Sequence, residues 1–395
     1  MSRIPVGERP RPEYDPVGYR LGSHFFYPKL TAGLRYDSNV FATNTNPRSD
    51  WALLVSPELT IRYGMLPSAY QQNPSRFSYE INLNADIYQF RDLTSENRVD
   101  ARGRLRTHWE IAEDLQLDTA FEAARKHAER GDPSQPRNAA EPVPYTDLRG
   151  EATLTKTVGR FGVAFNGSVR NLTYENVTTF DGTPLDLGGR DGTIYSTYIK
   201  PFYELAPGYR AFVRVAANTR NYAAAGIENK DSDGYDIKGG LEFAITPLLL
   251  GSVGVGYLSQ TYENPLIPKV DGLSFKGELT WLATALLTIK AEAERNVAET
   301  VTPEFDARLD TSFGVRADYE FLRNVVLFGG VQFINQDFRG TPRVDDVTKV
   351  STGVQYLMNR HLSTGLRYDF ISRDSTIPTF SFDKHVVMFN VTAQY

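Results

Sequence analysis

The sequence predicts an all-β fold: a transmembrane antiparallel up-and-down β-barrel of about 18 strands, with short periplasmic turns and long extracellular loops. Three observations predict it. Period-2 alternation of apolar and polar residues recurs from about His24 to Tyr395, and helical periodicity is scarce. The alternating segments run for about ten residues or more, near the ~9–11 that a tilted strand needs to cross a membrane and beyond the ~5–6 of an ordinary strand. The connections alternate in length, as they do in outer-membrane barrels.

The elements follow in chain order. Residues 1–22 form a Pro-rich periplasmic segment with no apolar core, either disordered or folded into the barrel mouth as a partial plug. They also lack the apolar stretch of a signal peptide, so export would require that a signal has been removed. Residues 23–395 form the barrel. Alternation is clear in FSYEINLNADI, DARGRLRTHWE, YRAFVRVAANTRNY, GYDIKGGLEFAI, LSFKGELTWL and RLDTSFGVRADY. EDL, APG, LRN and NRH read as the short turns. SNVFATNTNPRSD, RGDPSQPRNAAEPVPY, VTTFDGTPLDLGGRDG and AAAGIENKDSDG read as the long polar loops. GMLPSAYQQNPSR is a longer connection on the short-turn rim. An even strand number puts both ends of the barrel on the periplasmic rim.

An aromatic residue precedes nearly every short turn on the apolar side of its strand: Tyr63, Trp109, Tyr203, Phe243, Trp281, Tyr319 and Tyr356. In a barrel this is a periplasmic girdle at the membrane–water boundary; in a soluble fold it is a set of core aromatics near strand ends. The last stretch, HVVMFNVTAQY, alternates in the same way. Val387, Phe389 and Val391 would meet lipid, and the final strand would close against the first.

Side chains opposite the apolar stripe point inward. The candidate transport path is Arg102, Arg104, Arg106 and His108 on one strand, with Lys200, Arg210, Arg214, Arg220, Arg316 and Arg367. Guanidinium forks suit carboxylate and phosphate oxygens. Inward acids are nearly as frequent, so the alternative is a cross-strand network that stiffens the wall.

Composition excludes several classes. There is no cysteine, which removes thiol catalysis, thiolate metal sites and disulfides. The net charge of -5 opposes a general nucleic-acid binder. The five histidines have no metal-ligand spacing, and DSDGYD lacks the EF-hand pattern. We therefore expect no cofactor, no metal and no catalytic site.

The stretches DPVGYRLGS, PKLTAGLRYDSNVF and SDWALLVSPEL, with YELAPGYRA further on, resemble the putative beta-barrel porin type 2 family of outer-membrane proteins. The ending resembles the terminal strand of outer-membrane barrels, with Phe389, Val391 and Tyr395 as a signal for the barrel assembly machinery and Ala393 where Tyr is common. The resemblance implies a Gram-negative outer-membrane channel in contact with lipid and lipopolysaccharide. Several family members are encoded with exopolysaccharide biosynthesis genes. It therefore implies polysaccharide export, with periplasmic export partners. The alternatives are a general or sugar-selective diffusion porin, narrowed by the Asp181–Asp191 or Arg130–Pro144 loop, and a structural or adhesive barrel with an occluded lumen.

Overall fold

The computed structural model describes residues 4–67, 75–133, 135–224, 229–246, 248–299 and 307–395. Among them, eighteen long strands succeed one another. The first six are β1 (His24–Asp37), β2 (Asp50–Tyr63), β3 (Phe77–Phe90), β4 (Arg98–Ala112), β5 (Leu115–His127) and β6 (Pro144–Val158). Then come β7 (Phe161–Tyr174), β8 (Gly192–Ala206), β9 (Tyr209–Tyr222), β10 (Ser232–Thr246), β11 (Leu249–Tyr262) and β12 (Val270–Trp281). The last six are β13 (Leu287–Glu299), β14 (Ala307–Leu322), β15 (Val325–Arg339), β16 (Val344–Leu357), β17 (Leu362–Ser375) and β18 (Phe382–Gln394). Each pairs antiparallel with the next, and β18 pairs back onto β1, from Lys29↔Gln394 to Asp37↔Val386. The sheet is a closed up-and-down barrel, as the alternation predicts.

Register carries the apolar side of each strand onto that of its neighbour. Val215 lies opposite Ile237, Ile237 opposite Tyr257, and Tyr257 opposite Leu273. All four are 41–51% exposed, and similarly exposed Leu, Val, Ile and aromatic side chains continue around the barrel. A water-soluble globule would bury this belt; a bilayer covers it. Buried apolar clusters occur instead among residues of the loop-bearing ends of strands, such as Leu258, Tyr262, Val270 and Leu309, or Val40, Ala52, Phe90 and Leu93. A strand of 14 residues such as β1 rises roughly 35 Å at a tilt of ~40°, more than the ~30 Å of hydrocarbon. The surplus projects past the bilayer and packs with the loops.

The short turns lie at one rim, for example between β4 and β5, β6 and β7, β8 and β9, and β14 and β15. The centre of the longer GMLPSAYQQNPSR connection and part of AAAGIENKDSDG lie outside the described residues. Pairing between β12 and β13 spans only Phe275↔Arg295 to Trp281↔Ile289, so the upper end of β13 parts from β12.

The N-terminal segment runs along the short-turn rim from β13 to β18. Val6 is fully buried, and its N–H donates to Thr288 Oγ1 at 2.9 Å. Arg9 and Arg11 reach the buried Glu320 carboxylate at 2.6 and 3.2 Å, and Arg323 reaches it at 3.3 Å. Arg323 also donates to the Pro10 carbonyl, Arg360 to that of Pro12 and Gln394 to that of Tyr14. The chain then pairs Tyr19–Leu21 against the start of β1 and stacks Tyr19 on Tyr395, with ring centres 4.1 Å apart. Burial, ahead of the pull from Glu320, lowers the Arg11 guanidinium from its ordinary value. That cation therefore depends on its carboxylate.

Two expectations follow from this geometry. Leu105→Arg sets a charge on the lipid face near the middle of β4, at a cost of about 2–4 kcal/mol; the folded, heat-modifiable band should fall sharply on gels. Glu320→Ala strands two largely buried arginines, at about 3 kcal/mol. Hydrogen exchange of residues 6–15 should then accelerate while the barrel strands stay protected.

Candidate transport path

On β4, Arg102, Arg104, Arg106 and His108 share the inward parity, while Leu105 and Trp109 are exposed on the other side. Their surroundings differ. Arg106 is ion-paired with Glu80, which also accepts Arg62 Nε at 2.7 Å. Arg102 donates to Asn84 Oδ1 at 3.1 Å. Arg104 has no side-chain partner among the described residues. His108 is 1% exposed, with Nδ1 2.7 Å from an Asp118 carboxylate oxygen, so it is a packed group and not a free one.

The other nominated cations are mostly paired. Lys200 lies 2.7 Å and Arg210 3.7 Å from Glu242. Arg214 is 4.0 Å from Asp236, which also holds Lys238 at 2.6 Å. Arg316 and Arg367 each bind the acid two residues on, Asp318 and Asp369, at 2.8 Å. Arg220 binds Asn218 Oδ1 at 3.0 Å and reaches from β9 to the Val297 carbonyl of β13 at 3.5 Å. Near the extracellular ends of the strands, buried carboxylates gather cations. Asp37 takes Arg35 and Lys384, Asp147 takes Arg149 and Arg170, and Asp345 takes Arg343 and Arg373. Positive charge without a carboxylate partner on the β4 stripe thus sits at Arg102 and Arg104.

A second regularity was missed at the sequence level. Phe202 lies directly opposite Gly162, Phe212 opposite Gly240 and Phe328 opposite Gly353. Each ring occupies the space that a Cβ on its glycine would need. Each ring also carries a cation: Arg210 over Phe202 at 5.3 Å, Lys200 over Phe212 at 5.5 Å and Arg316 over Phe328 at 4.7 Å. Glycine lets the ring lie flat on the wall, and the ring presses the cation against it. The signal was available: an inward Phe facing a Gly in register. It becomes visible only once the register is known.

Trp109, Tyr203, Trp281, Tyr319 and Tyr356 are exposed on the outer surface near the short-turn ends of β4, β8, β12, β14 and β16. Tyr63 and Phe243 hold the corresponding places on β2 and β10 and are half-buried. Tyr63 stacks on Tyr79, and the Phe243 ring lies against Gly251. Phe389, Val391 and Tyr395 are exposed on the outer face of the closing strand.

A closed barrel with a greasy exterior and a charged interior is an outer-membrane channel. The chain belongs to the family described as "Putative beta-barrel porin 2", which it matches over residues 11–395. Among solved structures, OccK2 (OpdF) of Pseudomonas aeruginosa in complex with glucuronate is 10% identical, covering 93% of this chain and 98% of that one, with a TM-score of 0.47. A BenF-like porin from Pseudomonas fluorescens Pf-5 is 10% identical, covering 94% and 99%, at 0.46. The siderophore receptor PirA from Pseudomonas aeruginosa is 9% identical, covering 94% and 80%, at 0.43. The barrel assignment stands on the strand pairing, independently of these likenesses. No curated protein matches the chain.

Replacing Arg102, Arg104 and Arg106 together with Gln should lower anion preference while the barrel still folds. Reversal potentials in asymmetric salt provide the measure, and an unchanged value would place these groups off the ion path.

Proposed function

We propose that this barrel passes a secreted polysaccharide outward, driven by the machinery that makes the chain. The observation that carries this reading is the flattened wall of glycine, ring and cation on β7–β10 and β14–β16. Its cations are held on rings and neutralised by neighbouring acids, so each offers a solute only a weak contact. Weak, repeated contacts suit a chain that must keep moving. Arg102 and Arg104, which meet no carboxylate among the described residues, add a mild preference for anionic groups. The strap of residues 4–18 acts as a partial plug on the periplasmic side. Export partners would meet the barrel at that same rim. The outward aromatics near the short turns form a girdle, and Phe389, Val391 and Tyr395 are read by the assembly machinery. No residue has a catalytic role in this scheme.

One observation favours a second reading, a sugar-selective diffusion porin. Arg137 in the Arg130–Pro144 loop hydrogen-bonds the Thr379 carbonyl in the β17–β18 connection, and Phe180 meets Phe41 edge-on at 6.0 Å. The loops thus join across part of the extracellular end, as they would in a channel for small solutes.

Planar-bilayer recordings separate the two. Under the export reading, soluble exopolysaccharide from the source strain interrupts the current in long blocks, and monosaccharides do not. A deletion strain that secretes normal exopolysaccharide would remove that reading and leave the diffusion porin.

A further inference from the structure

At the extracellular end, the β1–β2, β5–β6, β7–β8 and β17–β18 connections enclose a cavity of about 300 Å³, the lower end of the range for small-ligand sites. Its walls carry four guanidinium groups, from Arg48, Arg130, Arg137 and Arg373, against one acid, Asp132. Arg130 is satisfied by Glu96, at 2.6 Å. Arg373 has only a share of Asp345, at 3.5 Å, because Arg343 already holds that carboxylate at 2.5 Å. Arg48 and Arg137 meet no carboxylate among the described residues. Partial burial, and then the nearby Arg343, lower the Arg137 guanidinium from its ordinary value. Those are the marks of a cation short of counter-charge.

Three rings share the same walls. Arg48 sits over Phe41 at 5.7 Å and Arg137 over Phe380 at 5.0 Å. Phe180 is 62% exposed and presents an apolar face beside these cations. Forked donors without an acid, beside an exposed ring in a space of this size, match a small ring bearing a carboxylate. The guanidinium groups take the carboxylate in two-point geometry, and the phenyl face covers the C–H face of the ring.

We propose that this cavity binds a uronate residue, a pyranose ring with a carboxylate, of the saccharide that leaves the barrel. The identification as a sugar rests on the export reading above. The positive charge of the cavity does not. The site lies in the loops beyond the membrane, at the point where a chain would emerge.

The test is calorimetric titration of the full chain in lipid nanodiscs with trigalacturonate, its neutral galactose counterpart and benzoate. Trigalacturonate should bind, weaken as salt is raised, and bind at least about tenfold better than the neutral trimer. Arg48→Gln with Arg137→Gln should weaken it about tenfold or more, and Phe180→Ala severalfold. Arg91→Gln, an exposed arginine on a neighbouring loop, should leave it unchanged. Heat-modifiable mobility shows that each variant is folded. Absence of binding at low salt, or binding indifferent to the double substitution, overturns the site. Equal binding of benzoate overturns its assignment to a sugar. Channel block by polysaccharide is recorded separately. Block without trigalacturonate binding removes only this site, and binding without block removes only the export reading.

Discussion

The structure depends on one constraint: in hydrocarbon, every backbone N–H and C=O must find a partner within the protein. β18 meets that demand by pairing with β1, and among the described residues every strand of the wall pairs on both sides, although the β12–β13 seam is unpaired at its upper end. Closure then fixes the side chains. Because strand residues alternate in direction, one parity must face lipid and the other water, on all eighteen strands together. Val215, Ile237, Tyr257 and Leu273 are exposed and apolar for this reason, while Arg214, Asp236 and Lys238 lie on the opposite parity. A one-residue slip in any pair would put charges into lipid, so the bilayer enforces register along the whole circumference.

The same constraint explains what could be read from the sequence. Parity is a property of each strand alone, so inward Arg102, Arg104 and Arg106 and outward Leu105 and Trp109 were legible. So were the strand number and the alternation of short and long connections, because each strand must cross and return. Pairing was not legible. Arg106 and Arg62 converge on Glu80 through the register of β2, β3 and β4, and nothing within β4 distinguishes Arg106 from the partnerless Arg104. His108 reads like its arginine neighbours in sequence, but Asp118 on β5 holds it in a packed position. The strap of residues 4–18 was harder still. Its buried apolar side chains are only Pro5 and Val6, and its anchor, Glu320, lies more than 300 residues away.

The glycine–phenylalanine–cation arrangement addresses a difficulty specific to wide barrels. Long side chains pointing inward would otherwise wander across the lumen. Lys200, Arg210 and Arg316 each lie along a ring that is itself laid on glycine, and each also reaches an acid. The wall thereby keeps its charge and its wetness while its side chains stay low. A larger residue at Gly162 would have to displace the Phe202 ring, and at Gly240 or Gly353 it would meet a backbone carbonyl, of Val253 or Leu366, as well as the ring.

Charge left over after pairing is therefore the quantity that a solute feels. Paired ions a few ångströms apart present little net field beyond the Debye length of ~8 Å. On the β4 stripe what remains is Arg102 and Arg104, and in the loop cavity Arg48 and Arg137; elsewhere on the wall Lys349 and the carboxylates of Glu151, Glu204, Glu292 and Glu294 also lack an opposite charge within ion-pair distance among the described residues. Under the export reading, the residual cations of β4 and of the loop cavity would offer an anionic chain two places of attraction, one on the wall and one at the extracellular end. Contacts on the wall act through water at a high effective dielectric and so stay weak. A continuous basic lining would bind such a chain tightly along its length and slow it; a neutral one would not draw it toward the exit. Local neutralisation with a few residual charges lies between these limits, where, on the export reading, many contacts could form and break as a chain advances.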